Sequence, residues 1–395
     1  MRNVRFLSKR ISVWIILFLQ VLLITSYFLL QTDNAKHQDE SSVSFIAKNY
    51  VKYYFELDLY ADFNISVCYK PGSDLNLMKR SKSLNWECKC LPDWHGNDCA
   101  QPEVIWRALL STRMPLSIKG PRKSLRRIIY LFEVNEYTEA ITEIRLHELN
   151  SLIDLFVMYE EKNNIIFEKK LQKGFLKDFH HKILYLQFSK AKHIWLNVKK
   201  IITNLNEDDI VLIGGLNDIP NGLALQYLKL YDKWPQPLLF RLRWSVYGFF
   251  WLHPNKTILK PGACTVSYLF ESLNDNLELL NNQKRDHLGK SLIIGDLNHF
   301  GGWQCEYCYE SHQILKALES LVIKRQIQYK SVDKLKIDNA YVEDLIENGI
   351  YVDDTTALLR THRNQENYFA PPYVRDNHWK YDWLLINLYS KMDYY

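Results

Sequence analysis

The sequence predicts an α/β protein built on a mainly parallel sheet. Two observations carry this. From about Arg126 onward, short apolar runs alternate with stretches of helical period, the pattern of strands joined by crossover helices. One of those runs ends directly in Gly214-Gly215, a turn at the carboxyl end of a strand, where open α/β sheets bind ligands.

Taken in order, Ile128-Ile129-Tyr130-Leu131-Phe132 reads as a strand, and residues 138–151 carry a helical pattern through Ile141, Ile144, Leu146 and Leu149. A strand follows at Leu155–Tyr159, then strands at Ile183–Phe188, Ile210–Ile213 and Leu238–Leu242, with a helix near Leu223–Tyr231. The loop to watch is Gly214-Gly215-Leu216-Asn217-Asp218-Ile219-Pro220. Asp208 and Asp209 lie just upstream of the Ile210–Ile213 run, at the strand's entrance, and are expected to face the wrong end of the sheet.

Ahead of this domain, Ile11–Leu30 holds no charge over 20 residues, which at about 1.5 Å per residue spans the hydrocarbon thickness of a bilayer. Arg2, Arg5, Lys9 and Arg10 precede it, and Asp33, Asp39 and Glu40 follow. That asymmetry puts the amino terminus in the cytosol. The expected layout is a cytosolic tail (1–10), a transmembrane anchor (11–30) and a stem (31–66), with the rest lumenal. A cleaved signal peptide is the competing reading, but the run is long and closes on Tyr27-Phe28-Leu29-Leu30 without a small-residue cleavage site. The sequons at Asn64 and Asn255 suit a lumenal body. The net charge of +5 is modest, and no basic stripe interleaved with aromatics appears, which argues against nucleic acid. Trp 11 and Tyr 25 are high counts, read first as core and second as a sugar-binding surface.

Cys88-Lys89-Cys90 through Gly96 to Cys99 has the C-x-C-x5-G-x2-C spacing of the second half of an EGF-like module, assigned to residues 67–100 with Cys68. Gly96 is expected to supply the turn. Ligands one residue apart suit a tetrahedral zinc site poorly. Four cysteines allow three pairings; analogy with EGF modules implies Cys90 with Cys99 and Cys68 with Cys88. Of the other three, Cys305 and Cys308 form a C-x-x-C pair that reads as a structural disulfide, although Cys264 is a competing partner.

Several stretches resemble glycosyltransferase family 17. They are Val67–Gly72, Trp86–Cys99, Arg145-Leu146-His147-Glu148-Leu149, Leu228–Asp232 running into Ser245–Trp251, Gly262–Val266, His299–Cys308 and Phe369-Ala370-Pro371. They keep the family's order across roughly residues 65–390. The resemblance implies a GT-A-like nucleotide-sugar transferase domain at 122–390 in a Golgi type II membrane protein. It implies inverting transfer of GlcNAc from UDP-GlcNAc, in β-1,4 linkage, to the core mannose of N-glycans (the bisecting position), with Mn²⁺ as cation. The family's Asp-x-Asp-Glu-Ile-Pro stretch falls on Gly215-Leu216-Asn217-Asp218-Ile219-Pro220, so both metal-binding carboxylates are replaced.

Asn217 and Asp218 are then the candidate metal and donor ligands, in a donor loop where Gly215 offers no ligand, and His299 is a candidate ligand or acceptor residue. Asp218, Glu160 and Glu148 are the catalytic candidates; a salt bridge from Arg145 to Glu148 is the bland account of the last. Trp303 and Trp251 are candidate sugar or base platforms, or core. Two further readings stand beside the transferase: a catalytically inactive relative that binds glycans or another transferase, and an adhesion protein using the EGF-like part.

Overall fold

A computed structural model describes residues 18–26, 42–44, 51, 58–63, 65–80, 87–112, 115–161, 166–188, 194–281, 291–323, 337–361 and 368–390. The anchor expected at Ile11–Leu30 and the sequon asparagine Asn64 lie wholly or largely outside them. Residues 18–26 are helical and exposed, and among the described residues no helix is long and apolar enough to cross a membrane.

The strands of the two large sheets, in chain order, are β1 (Ser42–Ser44), β2 (Ile128–Glu133), β3 (Leu155–Glu161), β4 (Ile183–Phe188), β5 (Ile210–Gly214), β6 (Asp218–Pro220), β7 (Leu238–Val246), β8 (Trp251–Pro261), β9 (Ala263–Thr265), β10 (Leu292–Ile294), β11 (Gly302–Glu306) and β12 (Leu359–Arg360). The helices that matter below are α1 (Glu103–Ser111), α2 (Glu139–Leu149), α3 (Ile166–Gln172), α4 (Ile194–Ile201), α5 (Gly222–Leu230), α6 (Val266–Leu273) and α7 (Ser311–Ile323).

The first sheet runs β1-β4-β3-β2-β5-β9. Its four central strands are parallel, and both edges are antiparallel. The period of two in a strand explains why both faces are apolar. Ile128, Tyr130 and Phe132 of β2 enter one core, while Ile129 and Leu131 enter the other. Helices α1, α3 and α5 cover the first face through residues such as Val104, Phe167 and Leu225. Helices α4 and α6 cover the second through Trp195 and Leu269. A sheet buried on both faces reads as continuous apolar runs rather than alternation, which is why these strands were visible in the sequence.

The expected strand at Leu238–Leu242 exists but does not join that sheet. It forms part of β7, the centre of a second, mixed sheet ordered β6-β11-β7-β8-β12, with β10 also on β7. β7 and β8 are joined by a short connection containing Tyr247 at φ 63, a connection that only an antiparallel pair allows. The mainly parallel description therefore holds for the first sheet alone. A third core lies under the second sheet. Helix α2 is shared: Ile141 and Ile144 enter this third core, whereas Leu146 and Leu149 enter the first.

The cysteine-rich segment is pinned by Cys68–Cys88 and Cys90–Cys99, as the EGF analogy implied. Gly96 sits at φ +88, a conformation that side chains disfavour. The segment does not stand apart, because Tyr69 and Ala100 belong to the first core and Trp94 packs on Tyr69 at 5.4 Å. The third disulfide joins Cys305 and Cys308. Cys264 is the buried free thiol, its pKa pushed up to about 12 by burial, so it is inert.

Candidate active site

β5 ends at Gly214, the chain turns at residues 216–217, and it re-emerges as β6 in the other sheet. The turn thus sits where the two sheets meet, beyond the carboxyl ends of β2, β3 and β5. Both glycines lie close to side chains here. A Cβ on Gly214 would lie 2.5 Å from the Tyr130 hydroxyl, and one on Gly215 would lie 3.0 Å from Asp218 Oδ2.

That space is used by Asp218, whose Oδ2 accepts from the Gly215 N–H at 2.7 Å. Asp218 is 5% exposed. Asn217 is held on two sides: its Oδ1 accepts from the Tyr309 hydroxyl at 3.0 Å, and its carbonyl accepts from the Cys305 N–H at 3.1 Å. Burial pushes the Tyr309 hydroxyl up to about 12, so it keeps its proton and donates. The Cys305–Cys308 disulfide fixes the segment that bears both contacts.

Arg145 lies beneath the turn. Its Nε donates to the Asp218 carbonyl at 2.7 Å, and its Nη2 donates to the carbonyls of Gly215 at 3.0 Å and Leu216 at 3.1 Å. The guanidinium stacks 4.2 Å from the Phe132 ring centroid. The expected Arg145–Glu148 bridge does not form. Spacing along the helix permits it, but Arg145 falls on the face of α2 packed between the two cores and is 0% exposed.

Of the remaining sequence candidates, Glu148 and Trp303 share one cavity and the others are dispersed. Glu148 accepts from the Tyr373 N–H at 2.8 Å and lines a cavity of about 400 Å3 with Trp303, Asn221, Gln226, Tyr368 and Arg375. Burial raises its pKa. Trp303 borders that cavity, but its ring N–H is committed to the Tyr368 carbonyl at 2.9 Å. Trp251 is core, with its ring N–H donating to the Ile346 carbonyl at 2.8 Å. Glu160 is the penultimate residue of β3 but points inward, accepting from the Tyr185 hydroxyl at 2.7 Å and the Phe167 N–H at 3.2 Å. Burial drives its pKa up to about 7, and at 1% exposure it reaches no substrate. His299 pairs with Asp296 at 3.2 Å and faces Glu103 at 3.8 Å, partners that do not belong to the turn. Asp208 and Asp209 sit at the strand entrance, bound by Arg122, Arg126 and Arg127. Asn255 is exposed on β8.

Two acids that the sequence does not single out end strands beside the turn. Glu133 ends β2, and its pKa is raised by burial and then by neighbouring Glu161. Glu306 ends β11, two residues beyond the Gln304 that pairs with Asp218. Its Oε2 accepts from the Trp244 ring N–H at 2.7 Å. Burial raises its pKa; hydrogen bonds from Trp244 and Tyr351 and the charge of Lys260 oppose that rise, and Asp218 adds to it. Aromatic rings flank it: Trp244 stacks on His253 at 3.6 Å, and Tyr351 meets both His253 and Tyr307 edge-on. The signals in the sequence were an acid between two cysteines and its place in the His299–Cys308 stretch.

The residues present do not fit a divalent cation at the turn. Hard cations take several anionic or carbonyl oxygens. Here one Asp218 oxygen is spent on Gly215, Asn217 Oδ1 is spent on Tyr309, and the carbonyls of residues 215, 216 and 218 face a guanidinium. Among the described residues, no three His, Cys, Asp or Glu side chains converge as ligands.

A parallel sheet covered on both faces, with its crevice over acidic strand ends and a glycine turn, is an α/β architecture consistent with a GT-A-like transferase domain. The comparisons agree with that class. The chain is 29% identical over 352 residues to the human β-1,4-mannosyl-glycoprotein 4-β-N-acetylglucosaminyltransferase, covering 79% of this chain and 64% of that enzyme. The rat enzyme gives the same figures, and the mouse enzyme is 29% identical over 355 residues. The resemblance to these transferases is therefore found across most of the chain. The chain spans 64% of the length of these curated relatives. No family model matches it.

Proposed function

We propose that this chain is an inverting N-acetylglucosaminyltransferase that moves GlcNAc from UDP-GlcNAc, in β-1,4 linkage, to the core mannose of N-glycans. The observation that carries this is the 29% identity with the human enzyme of that name over 352 residues. Glu306 supports it as general base. It is half-buried beside the turn, and a carboxyl with a raised pKa is better matched to taking a proton from a sugar hydroxyl. The step balances simply: Glu306 takes the proton of the mannose hydroxyl, the oxygen bonds the anomeric carbon from the face opposite UDP, and the anomeric C–O bond to the diphosphate breaks. The aromatic rings around Glu306 supply flat faces for the acceptor sugars.

The same reading places the protein in the Golgi membrane as a single-pass type II protein, with residues 11–30 as anchor. Its three disulfides suit an oxidising lumen, and exposed Asn255 is available to glycosylation. The decisive measurement is incubation of the full chain with UDP-GlcNAc and a biantennary N-glycan, followed by mass spectrometry and linkage analysis. Appearance of a β-1,4-linked GlcNAc on the core mannose is expected. A second reading, a non-catalytic relative that binds glycans, is favoured by Asn217 standing where the relatives' family has a carboxylate. Glycan binding without any product would establish it instead.

A further inference from the structure

Among the described residues, Arg145 carries a charge that no carboxylate neutralises. It is 0% exposed, and its Nη1 has no hydrogen-bond partner. Its Nη2 instead grips two successive carbonyls, those of Gly215 and Leu216. In a planar trans peptide the C=O and the N–H point in opposite directions. With both carbonyls drawn toward Arg145, the N–H groups of Leu216 and Asn217 must both point away from it, out of the turn. Neither meets an acceptor among the described residues. Consecutive backbone N–H groups aimed at one point form an anion-binding concavity.

We infer that the turn at Gly215-Leu216-Asn217 binds the diphosphate of a nucleotide directly, through the N–H groups of Leu216 and Asn217, with no divalent cation between them. That the anion is a diphosphate rests on the transferase reading above; the anion-binding geometry does not. The polarity of the turn is reversed relative to a carboxylate–metal site. It presents donors where such a site presents acceptors, and the buried guanidinium behind it reinforces the positive end of each peptide dipole. Donors fixed in a partly buried site act on a departing phosphate without having to reorganise. Gly215 is part of the device, since a side chain there would crowd Asp218 Oδ2, which caps the turn through the Gly215 N–H.

The test is calorimetric titration of the full chain with UDP in EDTA, with UDP in Mn²⁺, and with uridine in EDTA. Equal UDP affinity in the first two, within about threefold, and at least about tenfold weaker uridine binding are expected. Leu216→Pro then deletes one donor. Leu216 has negative φ and occupies the turn position that accepts proline. It is expected to lose about tenfold in UDP affinity while melting at the wild-type temperature. UDP binding that needs Mn²⁺, equal binding of UDP and uridine, no UDP binding at all, or full affinity in a folded Leu216→Pro chain would each overturn the inference. A chain that passes these tests but forms no bisected glycan sinks the transfer reading and leaves this one standing.

Discussion

The two ends of the parallel sheet are chemically opposite. At the entrance, the residue before every parallel strand is charged and compensated. Arg127 before β2 donates to Asp209 before β5 at 2.8 Å. Asp154 before β3 accepts from Lys229 at 2.8 Å and from the Ile128 N–H at 2.8 Å. Lys182 before β4 donates to the carbonyls of Asn150 at 2.7 Å and Ile153 at 3.1 Å. At the exit the pattern inverts. Glu133 and Glu160 pair with no Lys or Arg among the described residues, and Glu306 reaches the same crevice from the second sheet with only the charge of Lys260 opposing it; burial raises the pKa of all three. Arg145, the one guanidinium there, serves backbone carbonyls. Charge that is compensated holds the sheet together; charge left uncompensated is available for chemistry.

Removing a partner at the entrance should damage the fold and spare the chemistry. Arg127→Ala leaves Asp209 buried and unpaired, an expected cost of about 3–5 kcal/mol, read by denaturant unfolding. Because burial already raises the Asp209 pKa, proton uptake should relieve part of the loss in acid. An Arg127→Ala chain as stable as the parent would break the contrast. Glu306→Gln should do the reverse, with a loss in kcat of roughly 100-fold or more and a midpoint in denaturant that does not move. The wild-type rate should also fall as pH drops through the raised Glu306 pKa. A rate indifferent to both would remove Glu306 from the chemistry.

Glu160 tests the same contrast most gently. Its folded pKa of about 7 stands above the ordinary 4.5, so between those values the folded state binds more protons than the unfolded one. Stability contributed by this group must then decline as pH rises across that window and stay low above it. Glu160→Gln keeps acceptors for Tyr185 and Phe167 while removing the titration. Its unfolding free energy should be the flatter of the two against pH. Parallel curves for variant and parent would show that Glu160 is not titrating as its burial dictates.

What the sequence revealed follows from the range of each interaction. The strands at 128–132, 155–159, 183–188 and 210–213 were legible because a doubly covered sheet writes itself as uninterrupted apolar runs. The turn at 214–220 was legible because two glycines follow such a run. The second sheet was not, since nothing local says that Leu238 and its neighbours pair with 292–294 and 302–306. Glu306 was missed for the same reason: Trp244, which holds it, is 62 residues away. Arg145 was misread because i, i+3 spacing names a partner on the helix surface, whereas this residue lies on the buried side between Ile144 and Leu146.

Helix α2 has a consequence for the behaviour of the whole molecule. Eleven residues root it in two hydrophobic interiors, with Arg145 between the two anchoring pairs and clamped to the turn. Neither interior can loosen without tugging the clamp. Ligand capture and global order are thereby mechanically yoked, and a perturbation far from the crevice on either side registers at those few peptide groups.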